Sequence, residues 1–139
     1  MNTNISLLIH ADGGSRGNPG EAAYGFVVYD ESRNKLYEEG KKIGINTNNV
    51  AEYSGVVAAL KWVKDNAKNT NKVSFFLDSK LAVEQLNGRY KVKNENLRNL
   101  FFTVKALESQ TGIKATYSHV MRELNKDADR MVNIALDSY

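Results

Sequence analysis

The chain contains no cysteine. Disulfide bonds and thiolate metal sites are therefore excluded. The absence fits a reducing compartment, and a cytoplasmic location is expected. Proline occurs once, at Pro19, tryptophan once and histidine only twice. With no thiols and no paired histidines, a metal site in this chain has to be built from oxygen ligands. No apolar run approaches the roughly 20 residues of a membrane-spanning helix. The opening Met1-Asn2-Thr3-Asn4 lacks the basic start of a secretory signal, so no membrane partner is expected. Internal repeats, low-complexity segments and linkers are also missing.

What is present is ordinary in amount. The 139 residues are 42% hydrophobic and 25% charged, values of a soluble globular domain large enough to bury a core without staples. One domain over 1–139, acting as a monomer, is the expectation. The formal net charge of +3 permits a nucleic-acid partner without demanding one.

The hydrophobic pattern gives the element order. Ile5 to Ala11, Ala22 to Asp30 and Lys35 to Ile45 read as three strands with short connections, an antiparallel meander. The period then changes: Val50, Ala51, Tyr53, Val56, Val57, Leu60 and Val63 predict a helix from Asn49 to about Asn66. A strand over Lys72–Leu77, helices over Ser79–Leu86 and Glu95 to about Ser109, a strand over Ile113–Val120 and a helix over Asn125–Asp137 complete the chain. The order β-β-β-α-β-α-α-β-α predicts a mixed α/β fold. Its sheet would be antiparallel and then parallel, with right-handed crossovers and helices packed on it.

Between the first two strands lies Asp12-Gly13-Gly14-Ser15-Arg16-Gly17-Asn18-Pro19-Gly20. It matches neither G-x-G-x-x-G nor G-x-x-x-x-G-K-[ST], so it is no nucleotide loop. So few side chains beside one carboxylate give a large ligand access to the backbone. Three more acids sit at comparable places. Taken singly, each has a structural explanation: Asp12 as a turn residue, Glu52 as the partner of an Asn49 capping box, Asp78 as a helix N-cap. Asp129, or equally Asp127, offsets a helix dipole. Taken together, they gather at the carboxyl ends of strands and at helix openings, where ligands of open α/β sheets collect. Converging carboxylates repel unless a cation separates them. Oxygen-only ligands suit Mg²⁺ or Mn²⁺, and a pair of such ions serves phosphoryl transfer.

Four blocks carry a family resemblance: Asp12 to Gly20; Thr47-Asn48-Asn49-Val50-Ala51-Glu52-Tyr53; Leu77-Asp78-Ser79-Lys80; and His119-Val120-x-Arg122-x-x-Asn125-x-x-Ala128-Asp129. In this order and register the chain resembles the type 1 ribonucleases H, which cut the RNA strand of RNA–DNA hybrids. The resemblance implies a five-stranded mixed sheet flanked by helices. It implies that Asp12, Glu52, Asp78 and Asp129 bind two Mg²⁺ ions, with Mn²⁺ as a substitute. Hydrolysis would leave 5′-phosphate and 3′-hydroxyl ends, largely independent of sequence. Gly13, Ser15, Asn18, Asn48 and Asn49 would face the minor groove of the hybrid, where backbone groups and amides meet the 2′-hydroxyl. Thr47 would meet a DNA phosphate; Lys80 and Arg122 complete the implied substrate contacts.

The chain departs from the family pattern twice. Val120-Met121-Arg122-Glu123-Leu124 is too short for the histidine loop of many members, so His119 is either a catalytic aid or a local hydrogen-bonding residue. Gly88 to Lys93 replaces a basic protrusion; Tyr90 and Lys91 either touch substrate or belong to a solvated connector. The alternatives are a non-catalytic hybrid-binding module and a same-fold nuclease acting on double-stranded RNA. Trp62 reads as packing, and His10 has no role on sequence grounds.

Overall fold

A computed structural model describes residues 5–138. Its organising element is the strand β1 (Ile5–Arg16), whose side chains alternate between two differently covered faces. Leu7, Ile9 and Ala11 enter the main core. His10, Asp12, Gly14 and Arg16 point the other way.

The antiparallel arm is β2 (Gly20–Tyr29) and β3 (Lys35–Asn46). After α1 (Asn48–Asn66) comes β4 (Thr70–Leu77), then α2 (Lys80–Leu86), α3 (Glu95–Thr111), β5 (Lys114–His119) and α4 (Lys126–Asp137). The sheet order is β3-β2-β1-β4-β5. The pairs β1–β2 and β2–β3 are antiparallel, and β1–β4 and β4–β5 are parallel. The mixed sheet read from the sequence is the one observed. No helix among the described residues is long and apolar enough to cross a membrane.

One face of the sheet carries α1 and α3 over a core that includes Ile9, Phe26, Tyr53, Val56, Leu60, Val73, Phe75 and Leu77. Each such side chain contributes about 1.5–3 kcal/mol by its burial. The other face carries α4 alone, over a small cluster of Ala23, Val132, Ala135 and Leu136. So thin an apolar base needs help. Gly25 and Gly40 are cross-strand partners beneath α4. A Cβ at Gly25 would lie 2.6 Å from Ala128 O, and one at Gly40 2.2 Å from Met131 O. The helix therefore rests on bare backbone, and Asp12, paired with Gly25, stands beside it.

Three local expectations are corrected. The first strand does not stop at Ala11. Its parallel partner ends there, at the Ala11–Leu77 pair, but β2 goes on pairing as far as Arg16. Gly13 and Gly14, which read as part of a loop, are strand residues, and at Gly13 the absence of a side chain lets α1 approach. The first helix is capped by Thr47, whose hydroxyl accepts from Val50 N, so Asn49 and Glu52 form no capping box. Likewise Ser79, not Asp78, caps α2. Both acids are thereby released from structural duty.

The opening of α4 is fastened from an unexpected direction. Asn125 does not cap the helix through its side chain. It is buried, donates from Nδ2 to Ala11 O (2.9 Å), and faces His10 Nδ1 through Oδ1 (2.9 Å). That orientation assigns the His10 proton to Nδ1 and leaves Nε2 to accept from Arg33 at 3.0 Å. Burial and the Arg33 cation hold the His10 pKa below its usual value, in keeping with a neutral ring. Replacing Asn125 with Ala strands two buried partners. Urea denaturation is expected to show a loss of about 2–3 kcal/mol.

Candidate active site

Where the parallel part of the sheet ends, a cleft of about 350 Å³ opens between α1, α4 and the ends of β1 and β4. Asp12, Glu52, Asp78 and Asp129 all line it. Each arrives on a different element. Asp12 lies one residue past the last parallel pair of β1, and Asp78 directly follows β4. Glu52 comes from the buried side of α1 and Asp129 from the first turn of α4.

Gly13 is the hinge of this arrangement. Its N–H is shared between Asp12 Oδ1 at 2.9 Å and Glu52 Oε1 at 3.2 Å. A Cβ on Gly13 would fall 2.2 Å from the carbonyl carbon of Ala51. Only glycine lets α1 come close enough for Glu52 to reach β1. One carboxylate oxygen each from Asp12, Glu52 and Asp78 can be chosen so that all lie within 4.8 Å of one another. Asp129 stands outside that triad, with Oδ2 accepting from Asn133 at 3.3 Å.

The electrostatics of these carboxylates among themselves are unfavourable. Burial, and then the charges of Asp78 and Asp129, push the Asp12 pKa up to about 7, against the opposing hydrogen bond from Gly13 N–H. Burial, and after it Asp12, push Glu52 well above the usual carboxylate range. Glu52 is 5% exposed, and its Oε2 is buried without a hydrogen-bond partner. A buried acceptor is seldom left so. Hard oxygen donors, one of them unused, fit a divalent cation.

The other residues singled out in the sequence divide into two sets. Gly13, Ser15, Asn48, Asn49 and Arg122 line the same cleft. Asn48 Oδ1 accepts from Ser15 N (2.8 Å) and Ser15 Oγ (3.1 Å), while Asn48 N donates to Asn18 Oδ1. This ties the far end of β1 to the start of α1. Thr47 is the α1 cap at the rim. Lys80 opens α2 and is exposed, and His119 ends β5, also exposed; neither lines the cleft. Tyr90 and Lys91 border a separate groove with Phe101 and Phe102. Sequence reasoning passed over Arg16, Val132, Asn133 and Leu136, which complete the cleft wall. Only Arg16 carried a signal, its even spacing from Asp12 along one strand.

Residues 10–135 match the family model described as reverse transcriptase-like. The bifunctional protein Rv2228c of Mycobacterium tuberculosis is 44% identical over 96% of this chain. The chain spans about a third (36%) of the length of that relative. The ribonuclease HI of Halobacterium salinarum is 39% identical over 93% of the chain and 64% of its own length. Among solved structures, LC11-RNase H1 in complex with an RNA/DNA hybrid superposes with a TM-score of 0.91 at 38% identity, covering 94% of this chain and 96% of that one. In the present chain the connection from α2 to α3 holds no further helix, and a single 3-10 turn (Arg122–Leu124) links β5 to α4. A match over nearly the whole length, in sequence and in fold, places the chain in the type 1 ribonuclease H family, in its compact form.

Proposed function

We propose that this chain is an endonuclease that hydrolyses the RNA strand of RNA–DNA hybrids. The observation that carries the reading is the buried, unpartnered Glu52 Oε2 inside a cluster of converging carboxylates. Such a cluster needs a cation, and a polyanionic substrate needs the same cation to approach it. Asp12, Glu52 and Asp78 would hold it, with Asp129 at the open side for a second. Two Mg²⁺ ions, with Mn²⁺ as a substitute, would supply Lewis-acid stabilisation of the charge that develops in phosphodiester hydrolysis.

The chain's own groups orient the substrate. Asn48 has its amide oxygen committed to Ser15, so its NH₂ hydrogens remain to donate to a ribose 2′-hydroxyl. Asn49 and Ser15 flank it, and Arg122, exposed on the opposite wall, supplies a cation for a phosphate. None of these groups reads a base edge in the major groove, so cutting is expected to be largely independent of sequence. That LC11-RNase H1 was solved with an RNA/DNA hybrid supports the choice of substrate.

A panel of strand-labelled hybrid, RNA duplex and DNA duplex, each with and without Mg²⁺, tests the proposal. The hybrid's RNA strand is expected to be cut, and Asp78→Asn to slow the reaction by about 10³-fold or more. Binding without cleavage would point to a hybrid-binding module, and preference for the RNA duplex to a different nuclease.

A further inference from the structure

We propose that Arg16 is a ligand for a substrate phosphate, and that Asp137 holds its guanidinium in the free protein and releases it when a nucleic-acid strand enters. The inference rests on the hybrid-nuclease reading and extends it to a residue and an exchange of partners.

Arg16 lies four residues beyond Asp12 on β1 and on the same face. At about 3.3 Å per residue it stands roughly 13 Å along the strand from Asp12. Between them is Gly14, where a Cβ would meet Val132 Cγ1 at 3.8 Å, ordinary contact. Packing therefore does not require glycine there, yet its absence of a side chain keeps the floor of the cleft low. The cleft runs along this row from the carboxylates to Arg16, with α4 as its wall. Only Arg16 and Arg122 bring positive charge to its lining. A strand whose phosphate sits at the carboxylates would pass over Gly14 and lay another phosphate against Arg16.

In the free protein the guanidinium is already occupied. Arg16 donates to Asp137 Oδ1 at 2.6 Å, with side chains 50% and 67% exposed. An ion pair so exposed contributes little and is cheaply broken. Phosphate offers Arg a doubly charged-assisted, bidentate alternative. Asp137 is also the last residue of α4, where the helix dipole disfavours a carboxylate. Its position has no value to the helix itself, whereas it pairs the one cation that faces the far end of the cleft. The pair also closes the distal end of α4 onto β1, as Asn125 closes the proximal end. The helix, about 18 Å long, matches the roughly 20 Å from His10 to Arg16.

The test is steady-state hybrid cleavage by the wild type, Arg16→Ala, Arg16→Lys and Asp137→Asn, each at several salt concentrations. Hybrid binding is followed by fluorescence anisotropy in an Asp78→Asn background. Arg16→Ala is expected to raise KM about five- to tenfold with kcat within twofold. It should also lower the salt slope of binding by about one. Arg16→Lys should restore the slope. Asp137→Asn should lower KM two- to fivefold. Hybrids truncated on one side of the scissile phosphate should make wild type and Arg16→Ala alike. Unchanged KM and salt slope in Arg16→Ala overturn the proposal, as does a raised KM in Asp137→Asn. If the wild type cuts no hybrid, the nuclease reading fails, and the anisotropy slopes still decide whether Arg16 meets a phosphate.

Discussion

Asp12→Asn is expected to abolish hybrid cleavage, by about 10³-fold or more in kcat, and at the same time to make the metal-free protein more stable. Both effects have one cause. Asp12 is 6% exposed and surrounded by Glu52, Asp78 and Asp129, so its charge is costly unless a cation balances it. Its folded pKa of about 7 lies above the ordinary aspartate value of 3.8. Between those values the folded protein binds a proton that the unfolded chain gives up. The contribution to stability is therefore fully present below about pH 4 and is lost as pH rises through about 7. Above that pH the ionised group weighs against folding by on the order of 2–4 kcal/mol. An amide of the same shape keeps the Gly13 N–H partner and offers hydrogens to the neighbouring carboxylates. Urea denaturation at pH 8 in EDTA should show the variant more stable than wild type, with the gap closing toward pH 4. Mg²⁺ should narrow the same gap at pH 8, because it balances the charge in the wild type. Loss of stability in the variant at pH 8 would mean that the carboxylate serves the fold.

Gly13→Ala is expected to cost about 3 kcal/mol, read as a fall of roughly 10 °C in Tm, and to remove activity. Gly14→Ala should be nearly neutral in stability. The two glycines are adjacent, and propensity treats them alike. They differ in what lies above them. A methyl at Gly13 would enter the α1 backbone at 2.2 Å from Ala51 C, whereas one at Gly14 meets Val132 at 3.8 Å. To make room at Gly13, α1 has to move away from β1. Glu52 then leaves the N–H it shares with Asp12, and the oxygen triad opens. Paired thermal melts and hybrid-cleavage rates of the two variants check this. Equal losses in both would remove the close approach of α1 from the account.

These glycines also show where reading the sequence stops. The meander, the parallel strands and the helices follow from hydrophobic period, because periods of two and of about 3.6 residues survive in any context that buries one face. The four acids were legible because each stands in a recognisable block. Their freedom from structural work was not, since it depends on whether Thr47 or Asn49, and Ser79 or Asp78, turns inward to cap. A shift of one or two residues settles that, and local composition does not. The continuation of β1 through Gly13 and Gly14 was hidden because glycine signals a turn unless a partner strand and overlying helices are known. The seating of α4 depends on Gly25 and Gly40 being opposite each other. Two of its contacts with β1, Asn125 to Ala11 and Asp137 to Arg16, join residues more than 100 positions apart. His10, without a role on sequence grounds, acquires one only when Asn125 is placed beside it.

The most direct measurement is a single reaction on an RNA–DNA hybrid carrying distinct labels on its two strands, run with Mg²⁺ and with EDTA, with the product ends determined. RNA fragments with 5′-phosphate and 3′-hydroxyl ends are expected, with an intact DNA strand and no cutting in EDTA. Cutting that persists in EDTA, cutting of the DNA strand, or an RNA strand left whole in Mg²⁺ would contradict the hybrid-nuclease reading.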